Sequence, residues 1–370
     1  MNKAIARVAN RKPNARPILL IGPRGNGKTA LLQWLRETAR AVGVDIAWLT
    51  PDEISSKEEL LREVQRSETT VSRFLRRGKE VASVRIGADA TAMSGEVTLG
   101  LSKRAPPPLK ESLLAQCHKR PLALLLDEGH ALAPDVGSHL LNTAQKVAAE
   151  VPFLLVLAGT PDLRDQLNKM DATFWSRSDP VGVGLLSNEA TREAIEKPLV
   201  RAGIKLAQDV AWNALAEETS NYPYFVQLMG DALWEVGIGK RATGGAPIEL
   251  DAGDVALAAE AIAMHKSFYY SERYQEIDDL GLLSAARLVA DRFRATESVP
   301  VDELRRAVKS EVGEERARDA LRHLRHIGFV WAPPDAKRAV CLEPGIPSLM
   351  DFVLSPTGHE MPSRPGGDRG

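Results

Sequence analysis

The stretch Gly22-Pro23-Arg24-Gly25-Asn26-Gly27-Lys28-Thr29 constrains this chain more than any other. It fits G-x-x-x-x-G-K-[ST] without a mismatch, the pattern of a loop that cradles phosphates. Its surroundings fit as well. Pro17-Ile18-Leu19-Leu20-Ile21 is a short apolar run of buried-strand type, and Thr29-Ala30-Leu31-Leu32-Gln33-Trp34-Leu35 has the spacing of a following helix. Each part has a chemical reason. Glycines permit backbone conformations that a side chain forbids, so successive N–H groups can turn inward toward phosphate oxygens. The helix N-terminus adds partial positive charge. Lys28 can reach the β- and γ-phosphates as a point charge, and the Thr29 hydroxyl is suited to ligate Mg²⁺. Gly22, Pro23, Arg24, Gly25, Asn26, Gly27, Lys28, Thr29 and Ala30 are therefore the candidate nucleotide-binding residues. The alternative is a glycine-rich turn that happens to precede Lys-Thr. Strand, loop and helix standing in order argue against it.

The 370-residue length suggests two or three domains, and 44% apolar with 26% charged residues is ordinary for a globular protein. A net charge of −1 argues against a globally basic nucleic-acid binder, while leaving room for a local basic face. Cys117 and Cys341 are far apart and make no metal-ligand spacing, which suits a reducing compartment. No apolar run is long enough to span a bilayer, and Met1-Asn2-Lys3-Ala4 lacks a signal core. The expectation is a cytoplasmic protein with no membrane partner.

Val44–Leu49 reads as a second strand and residues 54–80 as a charged helix pair. Val81–Gly87 and Gly95–Leu101 come close to alternating with period two, predicting a β-hairpin within an insertion at 52–108. That hairpin either packs on the surface or touches a partner. Pro121–Leu126 is a third, wholly apolar strand ending in Asp127-Glu128-Gly129-His130. Carboxylates placed there sit at the C-terminal edge of a strand, where open α/β sheets bind ligands. Asp127 is suited to hold Mg²⁺, directly or through water, and Glu128 to polarise a water for attack on the γ-phosphate. An apolar run ending in Asp-Glu is also an ordinary strand end, and the loop at 22–29 is what gives it weight. Phe153–Ala158 is a fourth strand, followed by Gly159-Thr160-Pro161-Asp162-Leu163. Thr160 is the candidate to contact the γ-phosphate or the attacking water; equally, it caps the next turn. A helix at Leu163–Lys169 leads to Phe174-Trp175-Ser176-Arg177-Ser178 and a fifth strand, Val181–Leu186.

In this order the loop, Asp127-Glu128, Thr160 and Arg177 resemble an AAA+ ATPase. The nearer likeness is to the archaeal-ATPase, origin-recognition and STAND-like branch, and to the ATPases of some transposition systems. Phrases similar to Gly22-Pro23-Arg24-Gly25, Asp127-Glu128-Gly129-His130 and Ala158-Gly159-Thr160-Pro161-Asp162-Leu163 occur there. The resemblance covers about residues 15–265. It implies an α/β fold with a five-stranded parallel sheet, the sensor strand beside the loop strand, ATP with Mg²⁺ as ligand, and ATP hydrolysis. An arginine placed like Arg177 often completes a neighbouring subunit's site, which implies a homo-oligomer; local pairing on the surface accounts for it equally. Residues 188–265 resemble the helical lid of that branch, where a proline like Pro223 lies over the nucleotide. Pro223 also reads as a plain helix-starting proline. No arginine is expected to follow Pro223 on that helix, so the second-sensor arginine of many AAA+ motors is absent in this reading and motor-like turnover is not implied. Residues 1–16 hold no Gly-Arg-Glu-type adenine-binding phrase.

A loop at 240–247 precedes a long helix, 252–273, with the aromatic patch Phe268-Tyr269-Tyr270. Helices at Leu280–Phe293, Val301–Lys309 and Gly313–Ile327, strands at Gly328–Trp331 and Arg338–Leu342, and a turn at Pro333–Lys337 predict a winged helix. Ala317, Ala320, Leu321, Leu324 and Ile327 form its buried stripe, while Arg318, Arg322 and Arg325, with Lys337 and Arg338 in the wing, are candidates to contact DNA. Acidic residues nearly balance the basic ones here, and Glu314-Glu315 sit where base contacts would begin, so a winged helix used for protein contacts stays open. The expected layout is a P-loop ATPase core at 1–187, a helical lid and linker helix at 188–277, a winged helix at 278–355 and a disordered tail at 356–370. Two functions fit it: a nucleotide-dependent switch on DNA, of initiator or transposition-helper kind, or a STAND-like signalling ATPase.

Overall fold

Leu122–Leu126 and Phe153–Gly159 show no polar alternation, and a strand apolar on both sides has to be covered on both. Both are buried at every residue. The computed structural model describes residues 1–54, 56–66, 108–170, 177–208, 210–241, 248–333 and 341–355. The expected hairpin at 81–101, Lys337 and Arg338 of the wing, and the tail at 356–370 lie outside the described residues. The chain divides into two compact units, one made of residues 1–20, 29–159 and 163–180, the other of 21–28, 160–162 and 181–370.

The first unit is built on a five-stranded parallel sheet. Its elements run α1 (Asn2–Ala9), β1 (Ile18–Ile21), α2 (Lys28–Ala41), β2 (Asp45–Leu49), α3 (Lys57–Arg66), α4 (Leu109–Lys119), β3 (Leu122–Leu126), α5 (Pro134–Glu150), β4 (Phe153–Gly159), α6 (Leu163–Lys169) and β5 (Asp179–Gly182). The strand order is β2-β3-β4-β1-β5, which sets the strand before Thr160 beside the strand before the glycine-rich loop. The central register pairs Ala47 with Leu124 and Leu124 with Leu155. The fifth strand differs from expectation, spanning Asp179–Gly182 instead of 181–186. It is an edge strand that begins early, where the Asp179 N–H donates to the Pro17 carbonyl at 2.8 Å. The apolar signal at Leu185 and Leu186 belongs to two cores of the second unit.

In the second unit, α7 (Asn188–Arg201), β6 (Ile204–Leu206), α8 (Trp212–Thr219), α9 (Pro223–Arg241), β7 (Ile248–Leu250) and α10 (Ala252–Asp279) surround a core of Ile195, Leu199, Met229, Leu233 and Ile262. The Ser187 hydroxyl caps α7 by accepting from the Ala190 N–H. A reciprocal box between Asp251 and Asp254 starts α10, which runs six residues past the expected end, to Asp279 rather than 273. Three-residue strands such as β6 and β7, a parallel pair, carry too little periodicity to read from sequence.

A second core gathers α11 (Leu283–Phe293), β8 (Val299–Pro300), α12 (Val301–Val312), α13 (Glu314–His326), β9 (Val330–Trp331), β10 (Cys341–Pro344) and α14 (Pro347–Leu354). The strands form an antiparallel sheet in the order β8-β10-β9, with Cys341 opposite Pro300 and Glu343 opposite Trp331. Ala317, Ala320, Leu321 and Leu324 are buried as the spacing predicts. Arg318 and Arg322 are exposed, whereas Arg325 is half-buried and its Nε has no hydrogen-bond partner, so the expected three-arginine face is narrower. Neither β8 nor α14 was expected. Among the described residues no helix is long and apolar enough to cross a membrane.

Candidate nucleotide site

The loop between β1 and α2 takes the backbone shape its glycines permit. Gly25 and Gly27 lie in the left-handed region, at φ +77° and +83°. A side chain at Gly22 would stand 2.0 Å from the Val183 carbonyl oxygen. Lys28 is only 5% exposed, and its ammonium donates to the Gly22 carbonyl at 2.9 Å and the Pro23 carbonyl at 2.8 Å. A cation is thus already held over the loop. The Asn26 side chain donates from Nδ2 to the Val183 carbonyl at 3.1 Å, and its buried Oδ1 has no partner. Arg24 is exposed. Pro223, the first residue of α9, comes close to the loop: a methyl group on Gly27 would stand 3.8 Å from the Pro223 ring. Beside it the Tyr222 hydroxyl donates to the Arg24 carbonyl at 2.8 Å. Sequence reasoning missed Tyr222, whose only signal is its place directly before Pro223.

Left-handed glycines and a buried ammonium fit the phosphates of a nucleotide. Lys28→Ala is therefore expected to weaken ATP binding strongly. A charge-assisted donor contributes about 1.5–3 kcal/mol, so the loss should be roughly ten- to a hundredfold or more by calorimetric titration. Unchanged affinity would refute the loop assignment.

At the head of α2, the Thr29 hydroxyl donates to Asp127 Oδ2 at 2.7 Å. Asp127 is buried directly after β3, and its Oδ1 accepts from the Glu128 N–H at 3.0 Å. A hydroxyl and a carboxylate oxygen side by side form the hard oxygen set that Mg²⁺ prefers, usually completed by water and phosphate. Thr29 and Asp127 therefore fit that ion. Glu128 has a left-handed backbone, φ +48°, which is uncommon for a side-chain-bearing residue and recurs at functional sites. Its side chain is 47% exposed, with Oε2 3.3 Å from His130 Nδ1. Ala30 is exposed on the first turn of α2.

Thr160 is buried after β4, and its hydroxyl donates to Asp162 Oδ1. That bond joins two side chains and is not a cap on a backbone N–H. The other Asp162 oxygen lies 2.9 Å from His326 Nδ1, at the end of α13. Sequence reasoning missed both Asp162 and His326. Arg177 is exposed in the segment before β5.

These arrangements can be set beside known proteins. Residues 11–167 match the AAA domain family. No curated protein matches. Among solved structures, ORC2 of Aeropyrum pernix in its ADP form is similar at a TM-score of 0.50 and 14% identity, covering 95% of this chain and 91% of that one. Cdc6p of Pyrobaculum aerophilum gives a TM-score of 0.43 at 14% identity over 95% and 91%. The RuvB Holliday junction branch migration motor of Thermotoga maritima gives 0.44 at 14% over 92% and 89%. The ORC2 likeness shows a shared fold. Residues 11–167 thus resemble an AAA domain, and the five-stranded sheet is consistent with a P-loop NTPase fold.

Proposed function

We propose that this protein binds ATP with Mg²⁺, hydrolyses it slowly, and acts as a nucleotide-controlled switch on DNA. The observation that carries the reading is the buried Lys28 ammonium held across a left-handed glycine loop, with Thr29 bonded to Asp127 at the head of the following helix. In this reading Gly22 to Ala30 hold the phosphates and Pro223 covers the nucleotide. Thr29 and Asp127 hold Mg²⁺, which when bound neutralises phosphate charge. Glu128 takes a proton from the attacking water, Thr160 orients that water through its hydroxyl oxygen, and Arg177 serves a neighbouring subunit's site in a homo-oligomer. Residues 278–355 act as a winged helix behind a lid at 188–277 and a core at 1–187, in a cytoplasmic protein. Exposed Arg316, Arg318 and Arg322 on α13 support a DNA-facing role, although Asp319 pairs with Arg322 at 3.0 Å.

A second reading has its own observation. Gly328 lies against the loop, so that a methyl group there would stand 3.3 Å from Pro23, and His326 reaches Asp162. A winged helix packed so closely on nucleotide-binding segments suits a STAND-like signalling ATPase, in which exchange matters more than turnover. Phosphate release measured with and without duplex DNA, over a salt series, separates the two. Stimulation by DNA that falls steeply with salt supports the DNA switch. A rate indifferent to DNA, with ADP retained through purification, supports the signalling reading.

A further inference from the structure

In a trans peptide the C=O and N–H point in opposite directions, so whatever captures the Arg24 carbonyl also fixes the aim of the Gly25 N–H. Tyr222 captures it at 2.8 Å from a ring that is fully buried. The fit is close: a Cβ at Gly25 would fall 1.8 Å from the Tyr222 hydroxyl, so glycine is needed there for space as well as for φ. The single Tyr222 proton is committed to Arg24, so across the 3.0 Å Tyr222–Tyr269 contact Tyr269 is the donor. Burial, followed by the neighbouring Tyr269, pushes the Tyr222 hydroxyl pKa well above the ordinary phenol range, which keeps it a donor.

The backbone that presents Tyr222 is itself held in place. Ser220 and Asn221 are consecutive left-handed residues, φ +52° and +53°, a conformation that persists only where its surroundings fix it. Thr191 donates to Asn221 at 2.6 Å, Asn221 donates to Asn188 at 2.8 Å, and Ser220 donates to Ser348 of α14 at 2.7 Å. Ser348 also meets the Tyr270 hydroxyl at 2.6 Å.

We propose that Tyr222 is a positioning residue for the phosphate-binding loop: its hydroxyl holds the Arg24 carbonyl outward so that the Gly25 N–H faces the phosphates. The proposal rests on the nucleotide-binding reading above. It also gives the turn at 220–221 a purpose, since the strain stored there sets the ring that shapes the loop. Tyr269 supports the same bond from α10.

Titration calorimetry of the full chain with ATP and with inorganic triphosphate tests this, using wild type, Tyr222→Phe and Tyr269→Phe. A wild type that binds neither probe would refute the nucleotide reading itself. With wild-type binding established, Tyr222→Phe is expected to weaken both probes by the same factor, roughly tenfold, because one loop bond is lost and fewer molecules hold the binding-competent loop. Tyr269→Phe is expected to weaken both by a smaller, again equal, factor. Unchanged affinity in Tyr222→Phe would overturn the proposal. So would a loss confined to ATP, which would place the effect at the base rather than the phosphates. Should Tyr222→Phe fail to fold, Tyr269→Phe decides alone, and wild-type affinity there overturns the proposal.

Discussion

Replacing Glu128 with Gln is expected to leave ATP bound while slowing hydrolysis by about two to four orders of magnitude. The amide keeps the size of the carboxylate but cannot accept a proton from water. In the loop, Lys28 bonds to Gly22 and Pro23, and Thr29 bonds to Asp127. Binding and turnover should therefore separate in this one variant. Glu128 follows the buried Asp127 on a left-handed backbone, and its carboxylate remains about half exposed, which leaves it open to solvent water. His130, 3.3 Å from that carboxylate, is a titratable neighbour whose orientation would be disturbed by the change. A parallel His130→Ala variant distinguishes the two, because loss of the base should cost far more than loss of its neighbour. Phosphate release and ATP affinity, measured on the same preparation, make the comparison. A wild-type rate in Glu128→Gln would remove it as the general base.

What the sequence disclosed, and what it withheld, follow from the range of the interactions. The central strands were readable because two-sided burial leaves an uninterrupted apolar run, as in Leu122–Leu126 and Phe153–Ala158. The edge strand β5 was misplaced because its ladder is set by the Pro17 carbonyl and its apolar continuation serves other cores. The loop was legible as a local pattern whose glycines answer a local backbone demand. Tyr222 was not, since its partner Arg24 is 198 residues away and no spacing rule links them. The Thr160–Asp162 bond is short-range, but His326 arrives at Asp162 from 164 residues further on. The left-handed backbone at Glu128 had no signal either, because non-glycine residues other than Asn, Asp and His seldom adopt it.

Arg177 offers the other large effect, and it depends on assembly. Its exposure suits a role in trans. If it completes a neighbour's site, activity per subunit should rise with protein concentration, because an isolated chain lacks the finger. Arg177→Ala should then bind ATP with normal affinity and hydrolyse it at least about a thousandfold more slowly, the scale of a trans-acting arginine in phosphoryl transfer. The decisive experiment mixes Arg177→Ala with Glu128→Gln. Each is nearly inactive alone, for a different reason. In a mixed assembly some interfaces would join an intact Glu128 on one chain to an intact Arg177 on the next, and those sites would turn over. Against so deep a loss, even a small fraction of restored sites stands far above the background of either variant. An arginine that paired only within its own chain could not be restored this way, because every chain would still lack one of its two groups. A rate independent of concentration, with no recovery on mixing, would make Arg177 a local structural residue and the protein a monomeric switch.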